Sequence, residues 1–111
     1  MCFTVRREVT MALTKIQLSE LLQVYGELLT DKQKEALTMY CDCDCSLSEI
    51  ASEVGISRQG VRDAIVKGEA TLTKLEDALH LAELHKQLSR AVDSGDTQEL
   101  YTIVKRYVSK E

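Results

Sequence analysis

Apolar positions recur along this chain at spacings of three and four, the interval at which residues share one face of an α-helix. The first such stretch runs from about Thr14 to Leu28. It sets Ile16, Leu18, Leu21, Leu22, Val24, Tyr25 and Leu28, with Leu29 just beyond, on a broad apolar face. Gly26 lowers helix propensity there by roughly 1 kcal/mol relative to Ala, which fits close packing or an early helix end. Thr30-Asp31-Lys32-Gln33 then has the form of a capping box, a Thr cap with Gln three residues on. The second helix it opens has Ala36, Leu37, Met39 and Tyr40 as its buried positions and stops near Cys41 to Cys45.

Ser46-Leu47-Ser48-Glu49 is another capping box, and Leu47, Ile50, Ala51 and Val54 form one face of a short third helix. Gly55 stands where a left-handed residue would end it, a conformation glycine adopts without a Cβ clash. Ser57 can cap the fourth helix, whose stripe is Val61, Ala64, Ile65, Gly68, Leu72, Leu75 and Leu79. The stripe continues to Ala82 while a second line through Leu81, Leu84, Leu88 and Val92 takes over, so one long helix is expected over 57–90, bent or changing partners near Leu79 to Leu84. Asp93-Ser94-Gly95-Asp96 breaks the pattern, and a last short helix follows over 97–108, capped by Asp96 or Thr97.

The spacing between 47 and 65 meets four separate demands of a helix-turn-helix. Ala51 is small where the second helix crosses, and Gly55 tolerates a positive φ in the turn. Ile56 plugs the corner, while Val61, with Ile65 one turn on, is buried against the first helix. The expected fold is therefore all-α, with this bihelical unit at 47–65, in a single domain over 11–111 preceded by an arm at 1–10. The duller reading is an ordinary corner in a helical bundle.

Composition agrees with helices. The chain has 111 residues, 44% of them hydrophobic, with no Pro or Trp, one Phe and only five Gly. Its core must come from Leu, Ile, Val and Ala, and little punctuates a β-rich chain. Neither a signal peptide nor an apolar run of spanning length is legible, which points to a cytoplasmic protein without membrane insertion.

A net charge of −4 does not suit a nucleic-acid binder, because affinity there comes from neutralising phosphates. The distribution changes that picture. Residues 11–56 carry three Lys against eight acids, whereas residues 57–74 carry Arg58, Arg62, Lys67 and Lys74 against Asp63 and Glu69. The segment most favourable to phosphate is the one that opens the fourth helix. A recognition helix enters the major groove by its N-terminal part, so Ser57, Arg58, Gln59, Gly60, Arg62, Asp63 and Lys67 are the candidate DNA-binding residues. Arg can pair with guanine and Gln with adenine, Lys67 and the first backbone amides suit phosphates, and Gly60 removes bulk from the surface.

Ser46-Leu47-Ser48-Glu49-Ile50-Ala51 and Val54-Gly55-Ile56-Ser57-Arg58-Gln59-Gly60-Val61 resemble region 4 of bacterial sigma factors. Over a longer stretch, from Tyr25-Gly26-Glu27-Leu28-Leu29-Thr30 to about Leu84, the chain resembles the YlxM-type family of small helix-turn-helix proteins. That resemblance implies a regulatory role without enzymatic activity, and a link to the signal recognition particle pathway. The chain departs from the family at Cys41-Asp42-Cys43-Asp44-Cys45, and at Gly60 and Arg62, where Ala and Tyr are commoner.

No catalytic constellation, cofactor or metal is expected. Cys41, Cys43 and Cys45 have alternate spacing and no second ligand cluster, which matches zinc poorly. They read instead as small apolar fillers, reduced in the cytosol. His80 and His85 lie five apart, off the spacing that puts two imidazoles on one helix face.

The seam from Val61 to Ala82 is either intramolecular core or a dimer interface, and a homodimer on two half-sites is expected. Two functions follow. One is DNA-binding regulation. The other is a protein- or RNA-interaction module of the signal recognition particle system, which the acidic front half would suit.

Overall fold

Three capping boxes set where the first three helices begin. In the computed structural model, which describes residues 13–109, α1 spans Lys15–Tyr25, α2 spans Asp31–Leu37 and α3 spans Leu47–Val54. Thr14 with Gln17, Thr30 with Gln33 and Ser46 with Glu49 each exchange side-chain and backbone hydrogen bonds across their helix start. Each exchange satisfies two backbone donors that a helix N-terminus otherwise leaves without partners. The expected arm at 1–10 lies outside the described residues.

α1 tightens into a 3₁₀ turn over Gly26–Leu28, and α2 widens into a π turn over Thr38–Asp42. α4 follows at Arg58–Leu79, α5 at Leu81–Ser94 and α6 at Thr97–Val108. The described residues contain no strand, so the all-α expectation holds.

The long helix expected over 57–90 is divided. His80 takes φ 55°, in the left-handed region, and α4 ends at Leu79. A right-handed ladder cannot pass through a left-handed residue, and His is among the side chains that enter this region more readily than most. No glycine or proline marks the break, so the sequence pattern runs across it. The chain falls into two compact units at this point, Met1–Leu79 and His80–Glu111, where the sequence reading has one domain over 11–111.

In the first unit α1, α2 and α3 all pack on α4. Leu18, Leu22, Tyr25, Leu29, Ala36, Leu37, Ile50, Val61, Ile65 and Leu72 form its core. The seam from Val61 to Leu72 is therefore intramolecular core, covered by α1 to α3. Its far end differs, because Leu79 is exposed. The first helix buries a narrower face than its pattern suggests, since Ile16 and Leu28 are exposed.

Gly68 sets the approach of α4 to α2. A Cβ placed there would lie 2.6 Å from Leu37 Cδ1, well inside contact distance. Two carboxylates of α4 also reach towards α1. Glu69 is 7% exposed and accepts from the Leu13 N–H at 3.0 Å, while the buried Tyr25 hydroxyl donates to Glu76 Oε1 at 2.6 Å. The second unit is a helical hairpin, turned at Gly95 and capped by Asp96, whose side chain accepts from the Glu99 N–H at 3.0 Å.

Candidate nucleic-acid interface

The corner between α3 and α4 is built from backbone hydrogen bonds that fix the chain's exit angle. Gly55 adopts φ 81°, and the Gly55 and Ile56 N–H groups donate to the Ala51 carbonyl at 2.9 and 3.2 Å. Ser57 then restarts the helix. Its carbonyl accepts from the Val61 N–H at 2.9 Å and its Oγ accepts from the Gly60 N–H at 2.9 Å. Val61 and Ile65 are fully buried, as is Ile50 on α3. The branched side chains that α4 sets into the core thereby hold its N-terminal turns in place.

Six of the seven sequence-identified residues (Ser57, Arg58, Gln59, Arg62, Asp63 and Lys67) are exposed. Arg58 and Arg62 sit one turn apart, as do Gln59 and Asp63, so the four form two neighbouring lines along the helix surface. Gln59 Nε2 donates to Asp63 Oδ1 at 3.1 Å. Lys67 continues the Asp63 line by one more turn. The ion pairs of Lys15 with Asp44 and of Lys34 with Glu27 do not involve these cations.

Gly60 is the exception. It is half-buried, and a Cβ there would meet Ser57 Oγ at 3.2 Å and Ile56 Cδ1 at 3.5 Å. Its missing side chain faces the corner, so it does not clear bulk from an outer surface.

Glu69 alters the electrostatics that the sequence count suggests. Residues 57–74 carry two acids, but Glu69 is buried against the Leu13 N–H. The exposed charge of that segment is thus Arg58, Arg62, Lys67 and Lys74 against Asp63 alone. Glu69 stands four residues after Ile65 and three before Leu72, so the helical spacing puts it on the covered side, and only its charge keeps it out of an apolar stripe.

The cysteine segment begins within the π turn, at Cys41, and runs beyond it to Cys45, apart from these residues in sequence. Cys43 is exposed, which departs from the filler reading, while Cys41 and Cys45 are half-buried. The Cys41 thiol donates to the Leu37 carbonyl at 2.8 Å. Burial, and then the neighbouring Asp42 charge, push it up to about 11. Cys45 is raised as well, first by burial and then by Glu49 and the other charges around it. The Lys15 ammonium holds the Asp44 carboxyl below its ordinary value, and Lys34 does the same for Glu27. Among the described residues, no cluster of three or more His, Cys, Asp or Glu could hold a metal ion, and no helix is long and apolar enough to cross a membrane.

The family model described as "Putative helix-turn-helix protein, YlxM / p13 like" (UPF0122) matches residues 13–107. A UPF0122 protein of Mycoplasma capricolum is 44% identical over 85 residues, covering 77% of this chain and 75% of the relative. One from Clostridium kluyveri is 46% identical over 74 residues, 67% of each chain. One from Acetivibrio thermocellus is 49% identical over 70 residues, 63% of this chain and 58% of the relative. No solved structure matches significantly. The matched segment takes in both the α3–α4 corner and the α5–α6 hairpin, and the chain belongs to the UPF0122 family of YlxM/p13-like helix-turn-helix proteins.

Proposed function

We propose that this protein is a DNA-binding regulator that acts in the cytoplasm, without enzymatic activity, and reads duplex DNA with the N-terminal turns of α4. The observation carrying this reading is the helix-turn-helix corner, with Arg58 and Arg62 exposed on its second helix and joined to no carboxylate among the described residues. In the major groove an Arg guanidinium pairs two of its donors with guanine O6 and N7. Gln59 has one amide hydrogen engaged by Asp63, which leaves its second hydrogen and its carbonyl oxygen for an adenine edge. The Arg58 and Gln59 backbone N–H groups precede the first capped donor at Gly60 and suit a phosphate, as does Lys67. Two copies on two half-sites would supply the affinity that one small basic surface lacks.

The acidic stretch over 11–56 supports a second reading, in which the module engages a basic protein or an RNA of the signal recognition particle system. Parallel selection from random DNA and RNA pools at near-physiological salt separates the two. DNA regulation predicts a duplex sequence bound at submicromolar concentration, with affinity falling steeply as salt rises. Arg58→Ala with Arg62→Ala should abolish that binding while leaving helicity intact. Unchanged duplex binding in the double variant removes α4 as the reading element, and enrichment of RNA alone favours the second reading.

A further inference from the structure

The α5–α6 hairpin leaves more apolar surface open than its own packing uses. Helices of 14 and 12 residues are at the margin of independent stability and depend on packing. Within the hairpin only Ala91 and Ile103 are buried apolar residues. On a helical projection each lies at one edge of its helix's apolar arc. Val92 lies towards the other edge on α5, and Val104, Val108 and Tyr101 run to the other edge on α6. Val92, Tyr101, Val104, Tyr107 and Val108 are between 49% and 72% exposed.

We infer that this open apolar edge of the α5–α6 hairpin is where a second copy of the chain docks, so that two hairpins close into a four-helix bundle. The inference deepens the two-copy part of the proposed function and is independent of its DNA part. Three observations commit the surface to a second copy. First, the Val61–Leu72 seam is fully occupied by the core of its own unit, so it is not open to a partner.

Second, the area fits. At sizes typical of such side chains, these five leave on the order of 500 Å² open per chain, so a symmetric pair buries about 1,000 Å², the floor for a specific interface before its polar rim is counted. Third, residues 80–111 carry five Lys and Arg against five Asp and Glu, so two identical hairpins meet without net repulsion. A symmetric, self-complementary contact between hairpins is also the simplest closed assembly available to them.

The test is the mass of the full chain in solution without DNA, by light scattering and sedimentation. Wild type should run at twice the 12.5 kDa chain mass. Val92→Lys with Val104→Lys should weaken association on the order of a hundredfold, because each lysine would have to be desolvated in the pair. Both sites are exposed and Lys forms helix better than Val, so the far-UV spectrum should be retained. Ile16→Lys, on the exposed face of α1, should leave the mass unchanged.

A wild-type monomer up to about 100 µM overturns the two-copy reading together with this interface. A dimer that survives the double lysine variant overturns the interface alone. Should that variant lose helicity, Tyr107→Cys decides instead. A short bis-maleimide should then give a 107–107 cross-link, located by peptide mapping, and its absence overturns the proposal. A monomer whose α5–α6 face binds a hydrophobic dye, with binding lost in the lysine variant, assigns the surface to another partner and likewise overturns it.

Discussion

Gly55→Ala isolates the backbone geometry of the helix-turn-helix corner from every packing effect. The residue holds φ 81°, and a Cβ added there would find nothing within 4 Å. The whole cost is therefore conformational. An L-residue in the left-handed region costs roughly 1–2 kcal/mol. Ala also narrows the unfolded ensemble, which returns about 0.4–1 kcal/mol of stability. The expected net loss is about 1 kcal/mol, or roughly 4–8 °C in Tm for a unit of this size. Gly55→Asn should lose distinctly less, because Asn enters the same region more readily. Urea and thermal unfolding by far-UV circular dichroism measure both, and an unchanged m-value confirms that stability alone has moved. Gly95→Ala, at φ 72° and with equally open surroundings, repeats the experiment in the second unit. Stability equal to wild type in Gly55→Ala, or an Asn variant that loses more than Ala, would refute the left-handed corner.

Gly68→Ala should destabilise the fold by up to about 2 kcal/mol, since overpacking against the buried Leu37 methyl outweighs the gain in helix propensity. Gly60→Ala, whose nearest contact is the Ser57 hydroxyl at 3.2 Å rather than a buried methyl at 2.6 Å, should cost less than Gly68→Ala; equal urea midpoints for the two variants would contradict the packing described. Of Cys41, Cys43 and Cys45, alkylation at pH 8 with peptide mapping should modify Cys43 first and Cys41 last, because Cys41 is pushed up to about 11 and holds little thiolate; rapid labelling of Cys41 would contradict its burial. The depressed Asp44 carboxyl contributes stability that is present above its ordinary value of 3.8 and is lost as pH falls through its lower folded value. Asp44→Asn should accordingly flatten the acid limb of the stability profile. A carboxyl carbon titrating at the ordinary value by NMR would remove the Lys15 pairing from solution.

Much of the fold was legible because its determinants are local. The Thr30 and Ser46 capping boxes, Gly55 as the left-handed stop, Ser57 as the cap of α4 and Asp96 as the cap of α6 each act over three or four residues. A reader of the chain sees all the groups involved. The Thr14–Gln17 box was legible on the same terms, since Gln stands three residues after Thr there too. The candidate interface was legible to the same depth, because exposure at Arg58, Gln59, Arg62 and Asp63 follows from which face Val61 and Ile65 bury. Gly60 was not. Its place in the corner depends on where Ile56 and Ser57 turn back over the start of the helix.

By itself, then, the amino-acid sequence determined the helical class, the helix starts and the corner, through periodicity and short-range hydrogen bonding. Tertiary structure alone decided what covers each face. It buried Glu69 against the Leu13 N–H, and so left a more basic outer surface than the charge count implies. It placed Gly68 where α2 approaches closest and ended α4 at a left-handed His80 that no breaker residue marks. It also took up Val61, Ile65 and Leu72 in the first unit while leaving Val92 and Val104 open in the second. The physical reason is common to all of these. Burial is a relation between residues far apart in the chain, and a periodic pattern names the apolar face without naming its partner.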